Sequence, residues 1–279
     1  MENGLRQPEA ISVPLKRQIA EGIDARLRSL ALLARSRRAR QIVDLAIRGI
    51  EIEPIPAYLG EEHRAILVSN YPSVPQSLRA VLKLLCRLPG EKPRLKAVAR
   101  PEIVTRANFL LKALGVHKFV FLVRKDEAGV FRLNRRVVQG ILSFLRGTGQ
   151  VLWISVTGRT RGNGLLEGDL RTGAALFSLK TGVPLVPMGI VTRDKRGKVR
   201  AVKVRFGEPI DPPQIEALGD FETADLLIDF SKLAMCQIAK LLPAGQRGDF
   251  ENADDILVET KRRLRMDQPQ EPSPGLDAA

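Results

Sequence analysis

Three polar stretches in this 279-residue chain each follow an apolar run of the kind that builds a buried strand. Residues 64–69 (RAILVS) lead into Asn70-Tyr71-Pro72-Ser73-Val74-Pro75-Gln76. Residues 116–124 (VHKFVFLVR) end at Arg124. Residues 150–155 (QVLWIS) lead through Val156 into Thr157-Gly158-Arg159-Thr160-Arg161-Gly162-Asn163-Gly164. In α/β sheets, ligands bind beyond the carboxyl ends of the strands. Guanidinium, amide and hydroxyl groups gathered there suit a phosphate, since a guanidinium offers a planar fork of donors to paired oxygens. Strand-end loops are polar in any protein. The expectation of an anion pocket therefore rests on arginines coming from separate strand ends.

Other chemistries fit less well. No cluster has metal-ligand spacing. The two histidines are misplaced: His63 precedes the first strand and His117 begins the third. A six-residue strand spans about 20 Å, so both belong at the wrong end of the sheet. Cys86 and Cys236 fall in helical apolar patterns with no histidine nearby, which reads as core packing rather than a thiol nucleophile. Ser73 stands where a helix N-cap belongs.

The elements that must position these groups alternate. Strands are expected at 64–69, 95–100, 116–124, 150–155, 183–191 and 199–206. Helices are expected at 77–88, 102–114, 130–146, 170–180, 229–242 and 253–265. Such alternation implies parallel pairing through crossover helices: an α/β fold, a layered, mostly parallel sheet flanked by helices. Before it, Ile19, Ile23, Leu27, Leu30 and Ala34 recur on one face of a helical pattern, surrounded by arginines. The chain divides into a flexible tail (1–13), a basic amphipathic helical segment (14–50), the α/β domain (51–252), a C-terminal helix (253–265) and a disordered tail (266–279).

Charge narrows the partners. Forty-five Lys and Arg against 31 Asp and Glu leave a net +14, which points to polyanions. Aromatic residues are only 5%, few for the stacking platforms of single-strand binders, and no helix-turn-helix, zinc or RNP-like signal appears, so no nucleic acid is expected. The basic helical segment suits the interface of an anionic membrane; packing against its own domain suits it equally. No apolar stretch is long enough for a transmembrane helix, and residues 1–13 do not read as a signal peptide. The expected location is cytoplasmic, peripheral to the membrane.

In order and spacing, residues 50–252 resemble the glycerolipid acyltransferase family, the PlsC-like 1-acylglycerol-3-phosphate acyltransferases. The family's N-H-x-S-x-x-D motif falls on Asn70, Tyr71, Ser73 and Gln76. Its second-motif Arg falls on Arg124, after Gly115. Its F-P-E-G-T-R falls within 154–161, placing Thr157 at the Glu and Gly158 at the Gly, with Arg159 or Arg161 for the Arg according to the register. The basic residue before Gly-Ala is Arg171. The V-P-x-x-P strand is intact at Pro184 and Pro187. The resemblance implies that Arg124, Thr157, Gly158, Arg159, Thr160, Arg161 and Arg171 contact a substrate phosphate. It implies that Pro184 and Pro187 shape the acyl-side wall. It implies no cofactor, only acyl-CoA or acyl-ACP as co-substrate, with acyl carrier protein and a phosphorylated glycerolipid as partners.

The family moves an acyl group to a glycerol hydroxyl with a His base oriented by an Asp. Here those positions hold Tyr71 and Gln76. A tyrosine with its usual pKa near 10 supplies little phenolate at neutral pH, and an amide cannot stabilise a cation. The expectation is a phosphorylated-glycerolipid or acyl-thioester binder of phospholipid metabolism, weakly active or non-catalytic. The alternatives are a divergent active acyltransferase and a basic nucleic-acid-associated protein.

Overall fold

Runs of β-branched and aliphatic residues become strands here where both faces are covered. The computed structural model describes residues 41, 44–45, 47–90, 94–99, 120–122, 124–125, 131–132, 135–157, 165–195, 198–213, 220–264 and 266. Its strands are β1 (Glu51–Ile52), β2 (Ala65–Ser69), β3 (Leu95–Ala99), β4 (Val120–Leu122), β5 (Arg124–Lys125), β6 (Phe131–Arg132), β7 (Val151–Ser155), β8 (Leu185–Lys195) and β9 (Lys198–Phe206). Its helices are α1 (Val74–Arg87), α2 (Arg135–Arg146), α3 (Gly173–Thr181), α4 (Asp220–Leu241) and α5 (Ala253–Arg263).

The seven-stranded sheet has the order β1-β9-β8-β2-β7-β3-β4. Strands β4, β3, β7, β2 and β8 run parallel, and β9 returns antiparallel to β8. The fold is thus α/β, with a mostly parallel sheet flanked by helices. Strand β1 pairs with Lys203 and Val204 of β9, and Ala201 and Val204 of β9 are buried in the core.

Two adjacent central strands send their connections opposite ways. The chain leaves β2 through α1 toward β3, and leaves β7 through α3 toward β8. Right-handed crossovers then place α1 and α3 on opposite faces. The packing agrees. Ala80, Val81, Leu84 and Leu88 join Leu67, Trp153 and Val186 on one face. Ile141, Phe177, Phe230 and Ile238 join Ile66, Leu152 and Leu185 on the other. A sheet whose connections diverge in this way leaves a crevice at its carboxyl edge.

Local signals and tertiary pairing divide the remaining boundaries. Gly182 adopts φ 65° and closes α3, as a left-handed C-terminal glycine does. The helix expected over 130–146 begins only at Arg135, because Phe131 and Arg132 pair with Lys125 and Arg124 in a separate two-stranded sheet. Helix α5 contributes Ala253 and Leu257 to the same core as α4. Of the basic amphipathic segment, residues 41, 44, 45 and 47–50 are described. The rest of it, the helix expected over 102–114, His117, and both tails apart from Met266 lie outside the described residues.

Candidate functional site

The carboxyl ends of β2 and β7 meet at this crevice, side by side in register from Ala65 opposite Val151 to Ser69 opposite Ser155. Side-chain hydroxyls lace the two ends together. The Trp153 indole N–H donates to Ser69 Oγ at 2.9 Å, and Ser69 Oγ donates to the Asn70 carbonyl at 2.9 Å. Ser155 Oγ lies 3.2 Å from Thr157 Oγ1 and accepts the Thr157 N–H at 3.3 Å. Thr157 is half-buried and bridges Leu170 across the connection to α3.

Asn70 is buried and acts as an extra rung of the sheet. Its Oδ1 accepts the Ile190 N–H at 2.7 Å, and its Nδ2 donates to the Ile190 carbonyl at 3.0 Å. Gln246 repeats the device two residues further along β8, where its amide exchanges both bonds with the Thr192 backbone. Neither role was visible in the sequence, because the partners lie 120 and 54 positions away. Asparagine at position 70 thus serves the scaffold as well as the site's edge.

Tyr71 and Gln76 are engaged with different parts of the sheet. The Tyr71 ring is half-buried and stacks on Trp153, with centroids 6.3 Å apart and planes at 28°. Gln76 reaches from α1 to β9, and its Oε1 accepts the Ala201 N–H at 2.9 Å. Strands β7 and β9 are three spacings apart, about 14 Å. The Ala201 bond falls beside an irregularity of the β8–β9 ladder between Val191 and Thr192, where a bulge disrupts regular pairing. An amide oxygen is well suited to meet such a donor; its commitment there leaves the Gln76 acceptor turned to a structural task.

Ser73 occupies the N-cap position of α1 with extended backbone, φ −171° and ψ 160°, but its hydroxyl makes no capping bond. The proline in the first turn already lacks one of the donors that a cap would satisfy. Arg171 is exposed and paired with Asp169 at 3.2 Å, while its backbone N–H donates to the Val156 carbonyl at 2.7 Å. Its backbone therefore belongs to the β7 end, and its side chain to a surface ion pair. The Pro184 carbonyl accepts the Ile66 N–H, and buried Pro187 sits against the Gly207 backbone.

Arg124 stands two residues beyond the end of β4, in β5, opposite Arg132. Its side chain, together with Gly158, Arg159, Thr160 and Arg161, lies outside the described residues. His63 is exposed and precedes β2 at the amino edge of the sheet. Cys236 is buried, and burial pushes its thiol up to about 11. Cys86 is half-buried on α1. Among the described residues no group of three or more His, Cys, Asp or Glu could hold a metal ion.

Charge at the opposite end of the sheet is spent on architecture. The Arg94 guanidinium is buried and donates to the carbonyls of Leu59, Gly60, Pro89 and Gly149, at 2.6 to 3.2 Å. Burial lowers its pKa, against the opposing field of Glu61. Lys83 and Arg87 of α1 hold Asp44, and Arg79 and Lys83 reach the carbonyls of Arg48 and Ile47. The end of the basic amphipathic segment is therefore fastened to α1. Compared with known proteins, the chain matches no family model and no curated protein.

Proposed function

We infer that the crevice at the ends of β2 and β7 binds a phosphorylated glycerolipid or an acyl thioester at a membrane surface, on a PlsC-like acyltransferase scaffold that has lost the usual general base. The observation that carries the catalytic half of this reading is the Gln76–Ala201 bond. At the place where the acyltransferase pattern keeps a carboxylate to orient its histidine, this chain keeps a neutral amide that caps a backbone donor. Tyr71, at the histidine's place, packs its ring on Trp153. Loss of a positioned general base removes a factor of about 10²–10⁴, so binding outlasts turnover.

The binding half is supported by the topology. Asn70 and Thr157 flank the point where the connections diverge, which is where α/β sheets take ligands. The arginine-rich stretch 159–161 follows directly, and the net +14 favours an anion. Acyl-CoA or acyl-ACP would serve as donor in any residual reaction; no other cofactor belongs to the reading.

Trp153 is the chain's only tryptophan and lies at the crevice, so its fluorescence reports on the site. Titration with glycerol 3-phosphate and with lysophosphatidate is expected to change that emission saturably. The Arg124→Ala and Arg159→Ala/Arg161→Ala variants are expected to weaken both titrations. An unchanged emission, with no heat of binding by calorimetry, overturns the binding reading.

A further inference from the structure

The β8–β9 hairpin carries a charge arrangement that its own fold does not explain. Met188 of β8 pairs with Ser69, the last residue of β2. Strand β8 then runs seven residues further, to Lys195, an extension of about 23 Å. Because β8 is parallel to β2, this arm projects from the carboxyl edge, the edge where the crevice opens.

In the arm Arg193 stands directly opposite Arg200, and Lys195 directly opposite Lys198. Cross-strand partners share a face, as do residues two apart on one strand. Four cationic positions therefore form one rectangle, roughly 5 Å across and 7 Å along. Asp194, the only acid in the arm, is in register with Val199. Like charges placed directly opposite destabilise a ladder. Lower on the hairpin the β9 cations stand opposite uncharged residues and have carboxylate partners: Lys203 pairs with Glu51 and Glu53, and Arg205 with Glu53. At the tip, among the described residues, no carboxylate pairs with Arg193 or Arg200, and both are exposed.

Two exposed apolar residues share this edge. Val74 opens α1 just beyond β2, and Leu122 ends β4; they are 39% and 37% exposed. Cations at the tip and apolar side chains exposed along the same sheet edge fit a lipid interface. They lack the stacking aromatics of a single-strand nucleic-acid site.

We propose that the tip of the β8–β9 hairpin, through the opposed and exposed Arg193 and Arg200, docks the carboxyl edge of the sheet onto an anionic phospholipid surface. This rests on the membrane-surface part of the function inferred above and assigns it to one element. It does not depend on a ligand in the crevice. The scaffold fixes the base of the arm through the amides of Asn70 and Gln246 on β8 and of Gln76 on β9, and lipid phosphates supply counter-charges to Arg193 and Arg200.

The test is flotation of the full chain with phosphatidylcholine vesicles, with and without phosphatidylglycerol, and with no lysolipid or glycerol 3-phosphate present. The Arg193→Gln/Arg200→Gln variant is expected to bind the phosphatidylglycerol vesicles about 30-fold more weakly. It is also expected to melt at or above the wild-type temperature without vesicles, since an opposed pair is gone. Arg193→Lys/Arg200→Lys is expected to bind as wild type. Equal binding by wild type and the Gln variant overturns the proposal, as does loss of binding in the charge-retaining Lys variant. Duplex RNA competing the hairpin off vesicles, with the Gln variant losing RNA and not lipid, assigns the patch to nucleic acid and overturns it too. The tryptophan titration uses soluble glycerol 3-phosphate, so either result can fail without the other.

Discussion

Removing the Gln76 side chain should cost stability that a carboxylate of the right length restores. The bond to Ala201 joins α1 to β9 at 2.9 Å in a half-buried setting. A neutral bond contributes about 0.5–1.5 kcal/mol net, and an orphaned donor costs about 1–3 kcal/mol when fully buried. Partial access of water brings the expected loss for Gln76→Ala to about 1–2 kcal/mol. Gln76→Asp ends one methylene short, moving its oxygens away by roughly 1.5 Å, so it should lose a similar amount. Gln76→Glu keeps the reach and presents an acceptor, so it should stay within about 0.5 kcal/mol of wild type at neutral pH. Urea melts monitored by circular dichroism and Trp153 emission measure all three. The reasoning is refuted if Gln76→Ala and Gln76→Asp melt with wild type. It fails equally if Gln76→Glu is the least stable.

Arg94→Met should destabilise the chain by about 3–5 kcal/mol in the same melts, because four carbonyls at the amino edge lose a charged donor; a loss under about 1 kcal/mol would contradict this. Cys236, with its thiol raised to about 11, should resist a thiol reagent in the native state at pH 8 and react only on unfolding; rapid native labelling traced to Cys236 contradicts its burial. Burial on its own would raise the Asp44 carboxyl, but bonds and charges from Arg87 and Lys83 outweigh this and hold it below its ordinary 3.8. A depressed folded pKa adds stability above the unfolded value and loses it as pH falls through the folded one. The stability difference between wild type and Asp44→Asn should therefore be constant near neutrality and shrink only below about pH 3.8; a difference that grows on acidification reverses the sign and refutes it.

The strands were legible because their signal is local. Residues 64–69, 150–155 and 183–191 are apolar runs bounded by polar or proline-containing turns, and each became a strand of the central sheet. Their spatial order was not legible: β7 inserts between β2 and β3, and no short stretch of sequence encodes which crossover passes over which strand. The helix expected over 130–146 lost its first turn for the same reason, since Phe131 and Arg132 follow their pairing with β5 rather than their helical period. At the site, sequence located Asn70, Tyr71, Gln76 and Thr157 near one edge, but treated the amides as remnants of a motif. Their structural duties depend on backbone groups in β8 and β9. Gln246 and Arg94 carry no sequence signal of their roles, since a lone glutamine or arginine has no signature until its distant backbone partners are placed around it. Residues 192–207 hold seven Lys and Arg against one Asp, but which of those charges stand opposite each other depends on the register.

The account's central claim concerns the proton acceptor, and acyl transfer from oleoyl-CoA to lysophosphatidate measures it most directly, comparing wild type, Tyr71→Phe and Tyr71→His/Gln76→Asp. Wild type and Tyr71→Phe should release coenzyme A at the same low rate, with the double variant equal or faster. A wild-type rate that drops by about 10²-fold or more in Tyr71→Phe would make the phenol oxygen the base and contradict the account.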